Sequence, residues 1–169
     1  MVPTSASARS TPRVWVATSA EAPLVARLLI AFRDWFGSDT PSAESMAASV
    51  ALLLEDSSTE FLLASATGGE QPAGVCQLRF RHSVWTGTPD CWLEDLYVDE
   101  GARGQGLGSA LVQFSFERAV ARGARRIELD TNEVNTAAIA LYESLGFSRS
   151  SKVHGPNTGR DIFMGRRLS

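Results

Sequence analysis

Arg103-Gly104-Gln105-Gly106-Leu107-Gly108-Ser109 stands where a strand-like run, Cys91 to Val98, hands over to a helical pattern that begins near Gly106. Glycines let a backbone approach a ligand closely and turn successive N–H groups outward, and a helix N-terminus adds partial positive charge. The segment therefore predicts an anion seat made of main chain. Its position also decides topology. A strand, a glycine loop, a helix reaching about Arg122 and a strand from Arg126 to Asp130 make a parallel, right-handed crossover. A dinucleotide fingerprint competes with this reading, because Asp130 ends the next strand where a ribose-binding acid would stand. Against it, Ser109 occupies the place of the third glycine, and two helices and three antiparallel strands, following a first strand, precede the loop.

Upstream, Arg13 to Ala17 reads as a strand, and Thr18 with Glu21 forms a capping box for the helix that follows. Leu24, Val25, Leu28, Leu29, Phe32 and Phe36 give that helix one apolar face. Thr40 and Pro41 look like an N-cap and first-turn proline opening a second helix, with Met46, Val50, Leu53 and Leu54 on its apolar side. Phe61 to Ala66, Ala73 to Arg81 and Cys91 to Val98 are strands, joined at Gly68-Gly69 and at Thr86 to Asp90. Downstream, a helix from Asn135 to Leu145 ends at Gly146, and strands follow at Ser148 to Val153 and Ile162 to Arg167.

Composition narrows the chemistry. With 169 residues the chain suits one domain with a core of ordinary size. Sixteen basic against nineteen acidic residues give a net charge of −3, which argues against a nucleic-acid partner. Lys152 is the only lysine, so a GxxxxGK[ST] phosphate loop and an SxxK nucleophile pair are excluded. His82 and His154 are too few for a multi-histidine metal site, and no metal is expected. Cys76 and Cys91 read as buried small hydrophobes in a reducing compartment. No run is long and apolar enough to span a bilayer, and residues 1–12 look like a loose tail without a secretory core, so the expected location is cytoplasmic.

Three motifs, in order, carry a resemblance. Leu93-Glu94-Asp95-Leu96-Tyr97-Val98, the loop Arg103 to Gly108, and Asn135 with Leu141-Tyr142-Glu143-Ser144-Leu145-Gly146-Phe147 resemble the GNAT superfamily of acyl-CoA-dependent N-acyltransferases. The likeness is strongest from Cys91 to Phe147, and the element order extends it from Arg13 onward. It implies an α/β fold, α+β by strict count, with a mixed, mostly antiparallel sheet of six or seven strands flanked by about four helices. It further implies one N-acetyltransferase domain over residues 13–169, with acetyl-CoA as cosubstrate.

The resemblance also assigns roles. The strand ending at Val98 would splay from the one beginning near Arg126, usually at a bulge, and admit the pantetheine arm along Leu96, Tyr97 and Val98. Arg103, Gly104, Gln105, Gly106, Leu107, Gly108 and Ser109 would hold the pyrophosphate, with Arg103 either touching phosphate or solvated. Asn135 would reach the pantetheine, although it is equally suited to cap its helix. Tyr142 would protonate the departing thiolate, and Glu94 would be the base, in a context similar to spermidine/spermine-type acetyltransferases. On a regular strand Glu94 and Asp95 face opposite ways, so only one of them should meet the acceptor.

In this family the acceptor is walled by the loop between the first two helices, here Arg33 to Asp39, and by the region of Arg81, His82 and Trp85. Trp35, Phe36 and Asp95 are the expected acceptor contacts, suited to a small cationic amine. Direct transfer to a primary amine of a small molecule is therefore expected, with no nucleic acid and no membrane as partner; the resemblance leaves room for a homodimer. The alternatives are a protein or peptide amine as acceptor, a non-catalytic acyl-CoA sensor and an NAD-binding oxidoreductase.

Overall fold

The computed structural model describes residues 11–149 and 161–168. The tail expected over residues 1–12 lies almost wholly outside them, as does most of the strand expected from Ser148 to Val153. The chain runs β1 (Arg13–Val16), α1 (Ala22–Trp35), α2 (Ala43–Glu55), β2 (Thr59–Ser65), β3 (Gly74–His82), β4 (Pro89–Val98), α3 (Leu107–Ala121), β5 (Arg126–Asn132), α4 (Thr136–Ser144), β6 (Ser148–Arg149) and β7 (Asp161–Arg167). The strands form one sheet in the order β1-β2-β3-β4-β5-β7-β6. Every pairing is antiparallel except β4 with β5. This is the mostly antiparallel, four-helix architecture that the motifs imply.

Local chemistry explains most boundaries. Glu21 accepts from the Thr18 backbone N–H at 2.9 Å and from the Trp15 indole at 2.8 Å, locking the entry to α1. The Thr18 N–H is the chief reason the Glu21 carboxyl is held below its ordinary range. The second helix starts later than expected: Ser42, not Thr40, caps α2, and its hydroxyl accepts from Ser45 N at 3.2 Å. Pro41 therefore precedes the cap, and Ala43 takes the first helical position. Gly146 closes the α4 turn at φ +87°, in the left-handed region expected for it.

Two cores sandwich the sheet. On one face α3 and α4 cover Leu62, Cys76, Leu78, Leu93, Ile127 and Leu129. On the other, α1 and α2 cover Phe61, Leu63, Val75 and Tyr97. Alternation of inward residues along each strand produces this split. Both cysteines are buried as expected, and burial pushes the Cys76 thiol up to about 12. The far end of α3 is tied to β2 by Glu60, which accepts from Arg118 at 2.8 and 2.9 Å and from Arg122 at 3.3 Å. Among the described residues no helix is long and apolar enough to cross a membrane.

Candidate active site

The parallel ladder between β4 and β5 consists of two residue pairs, Cys91 with Ile127 and Trp92 with Glu128. Beyond them the strands part, and the gap opens into a cleft of about 1100 Å³ running from Leu93–Val98 past the Arg103–Ser109 loop to Asn135 and Tyr142. The register shows why. Gln77 pairs with Asp95 and Leu78 with Leu93, which leaves Glu94 as an extra residue in β4, a bulge. Bulges bend a strand and increase its twist, and here the bend comes where β4 leaves β5.

The bulge also resets the strand's facing. Leu93 before it and Leu96 after it both pack toward the α3 and α4 core, three residues apart. Glu94 and Asp95 therefore do not divide between the faces, as a regular strand would require; both line the cleft. Asp95 is pushed up to about 6, first by burial, then by the neighbouring charges of Glu94 and Asp130. Asp130 enters the cleft from β5, and its carboxyl is likewise raised, mainly by burial.

Along this edge the main chain is free to bind. Asp99 N donates to Ala73 O at 2.8 Å, toward β3. Alternation then turns the amides of Leu96 and Val98 the other way, into the cleft. Arg103 uses one of these groups: its Nε donates to Val98 O at 3.1 Å, and its guanidinium lies 5.2 Å from the Trp35 ring centre. The side chain is exposed and lines the cleft while folded back on the strand.

The loop itself has the geometry of an anion seat. Gly104 and Gly106 sit at φ +77° and +85°, conformations that L side chains rarely adopt, and a Cβ at Gly104 would meet nothing within 4 Å. Gly106, Leu107, Gly108 and Ser109 line the cleft, so the start of α3 borders it. Gly108 serves closeness instead: a Cβ there would come within 3.3 Å of Leu141 on α4. The Gln105 side chain turns away from the cleft, its amide donating to Gly101 O at 3.2 Å.

Asn135 caps α4, accepting from Ala138 N at 3.4 Å, and lines the cleft. Tyr142, two turns on, is buried against Phe147 and reaches the same cleft. Burial drives its phenol above the ordinary tyrosine range, so it stays protonated at neutral pH. Trp35 and Phe36 line the opposite lip, in a stack that runs through Phe32 to Tyr97 at 5.3 Å. His82 and Trp85 do not line it; Trp85 is 94% exposed at the β3–β4 turn.

Two contributors escaped the sequence reading. Asp130 was weighed only as a ribose-binding acid, although Ile127 and Leu129 pointing inward already place Glu128 and Asp130 on the opposite side. Phe32 was read only as part of the apolar face of α1; it does pack against that core, and it also lines the cleft.

Known proteins share stretches of this sequence and its fold. The thialysine N-epsilon-acetyltransferase of Sus scrofa is 33% identical over 90 residues, 50% of this chain and 52% of that protein. The mycothiol acetyltransferase of Beutenbergia cavernae is 42% identical over 69 residues, 39% of this chain and 23% of that one. The match thus spans about half the length of the first of these relatives and less of the second. A solved chain from Arthrobacter sp. FB24 superposes with a TM-score of 0.72 at 34% identity, covering 94% of this chain and 96% of that one. A GNAT-family acetyltransferase from Streptococcus pneumoniae shares the fold at a TM-score of 0.69 and 20% identity, over 94% of this chain and all of that one. The sequence pattern of the acetyltransferase (GNAT) family itself runs through residues 29–147, from the middle of α1 to the end of α4, and the chain belongs to that family.

Proposed function

We propose that residues 13–169 act as one N-acetyltransferase domain moving an acetyl group from acetyl-CoA directly to a primary amine of a small molecule. The observation that carries this reading is the cleft between β4 and β5, edged by the outward amides of Leu96 and Val98 and ending at the Gly104–Gly106 seat. Its volume is ample for a ligand larger than a drug-sized molecule, and glycines Gly104, Gly106 and Gly108 bring main chain to its lining. Those features fit an elongated cosubstrate with a pyrophosphate at one end. Acetyl-CoA supplies an activated acyl thioester when bound.

The chain's own groups then meet three demands. An alkylammonium has a pKa of about 10 and must lose a proton before it can attack. Asp95, raised to about 6, is basic enough to take that proton while remaining ionised at neutral pH. Glu94 lies beside it, exposed, and can pass the proton to solvent. The Val98 N–H faces the cleft and polarises the carbonyl under attack. Tyr142, protonated and buried, donates to the departing sulfur.

Small amines as acceptors are favoured by the relatives whose names specify thialysine and mycothiol. A reducing, cytoplasmic setting is consistent with two buried free thiols. The test is thiol release from acetyl-CoA by the full chain, across polyamines, aminoglycosides, amino acids and peptides. Amine-dependent release with a small molecule is the expected result; binding of acetyl-CoA without release to any amine would leave a sensor instead.

A further inference from the structure

A second, smaller hollow of about 260 Å³ adjoins the cleft and is lined by Arg79, Arg81, Trp92 and Glu94. Glu94 lines both cavities, so the hollow opens on the site where proton transfer is proposed. The arginines reach it by strand alternation: Leu78 and Phe80 point into the α3 and α4 core, which turns Arg79 and Arg81 to the other face. Arg79 lies opposite Trp92 in the ladder, and Arg81 lies one step further from the bulge, opposite Asp90.

Their charge is uncommitted. Among the described residues neither arginine forms an ion pair, and Asp90 makes none with Arg81 across the ladder. Asp56, whose carboxylate is held first by Ser58, feels Arg79 only through space. The Arg81 guanidinium instead sits 5.6 Å from the Trp92 ring centre, which steadies it over the floor of the hollow. Planar guanidinium forks beside an aromatic floor suit a carboxylate or phosphate, which they bind with paired hydrogen bonds. A polycation would meet repulsion here.

From these residues we infer that the acceptor amine also carries an anionic group, bound by Arg79 and Arg81 while the amine lies at Glu94 and Asp95. The inference rests on the acetyl-transfer reading and sharpens it. Strand rise sets the ruler: Trp92 to Glu94 spans about 7 Å, so amine and anion should stand roughly 7–10 Å apart, as in an ω-amino acid. This narrows the sequence-based expectation of a small cationic amine to one that also bears an anion.

The experiment measures thiol release from acetyl-CoA by the full chain with three matched amines: 6-aminohexanoate, its uncharged amide and 1,5-diaminopentane. An aminoalkyl phosphate of similar length, against its neutral phosphate diester, separates phosphate from carboxylate. The acid should exceed its neutral partner in kcat/KM by about tenfold, the scale of one charge-assisted hydrogen bond. That ratio should fall toward one in Arg79→Gln and Arg81→Gln and be largely kept in Arg81→Lys. A ratio near one for both pairs in the unmodified protein, a preference for the diamine, or a ratio that survives both glutamine variants overturns the inference while leaving acetyl transfer intact. Absence of release with every amine, these and the wider panel, overturns the transfer reading itself.

Discussion

At Tyr142 the proposed chemistry rests on one oxygen. Burial keeps that phenol protonated, so Tyr142→Phe removes a proton donor and little else from the site. Turnover should fall about a hundredfold, the scale of general acid catalysis, with acetyl-CoA affinity retained. Steady-state kinetics beside equilibrium titration of acetyl-CoA checks both halves. Asp95 makes the complementary case for the base. Its carboxyl is raised by burial and by the charges of Glu94 and Asp130, so it accepts a proton above about pH 6 and loses that capacity as pH falls through this value. A pH profile of kcat/KM should show an acid limb near 6, and Asp95→Asn should abolish that limb. A limb unchanged in the asparagine variant would move the base to Glu94. The resemblance pointed to Glu94 through its likeness to spermidine/spermine-type acetyltransferases; that Asp95 shares its face depends on where the bulge falls, and an extra residue in a strand carries no composition signal of its own.

Elements were legible where periodicity is strong and obscure where side chains compete for backbone. β3, β4 and β5 declare themselves through inward Leu78, Leu93, Ile127 and Leu129, and α1 through its apolar stripe. The start of α2 was misread because Thr40, Pro41 and Ser42 each have helix-opening chemistry, and only geometry selects Ser42. The contact of Arg103 with the Val98 carbonyl was illegible too, because the ring beside its guanidinium, Trp35, is distant in sequence. The glycine loop, by contrast, was readable from residue type alone. At the junction of loop and α3, Gly106 stands at φ +85°, so Gly106→Ala should cost about 1 kcal/mol and distort the N–H array. A lower melting temperature together with weaker acetyl-CoA binding is the expected pair of results.

Across the whole molecule, the two halves of the sheet, β1–β4 and β5–β7, are joined by the two pairs of the parallel ladder and by the helices packed across them. A ligand seated between β4 and β5 touches both halves and binds only where the parting strands are folded. Acetyl-CoA at a hundred times its Kd should therefore stabilise the fold by about 2.7 kcal/mol, seen as a rise in Tm that grows with ligand concentration. NAD at equal concentration should give no such rise. Family membership and the order of elements were visible from motifs spread over the chain; the acceptor hollow was not, because Arg79, Arg81, Trp92 and Glu94 converge only when β3 and β4 pair.

The anion seat of backbone N–H groups around Gly104 and Gly106 has a consequence for descent with modification. Main-chain donors are encoded by no particular side chain, so most missense changes nearby leave them in place, and the glycines at positive φ are the vulnerable letters. The arginine hollow is written the other way, in side chains that a single codon change can erase or invert. A gene of this design can drift from one acceptor to another while its grip on the donor is inherited almost unchanged.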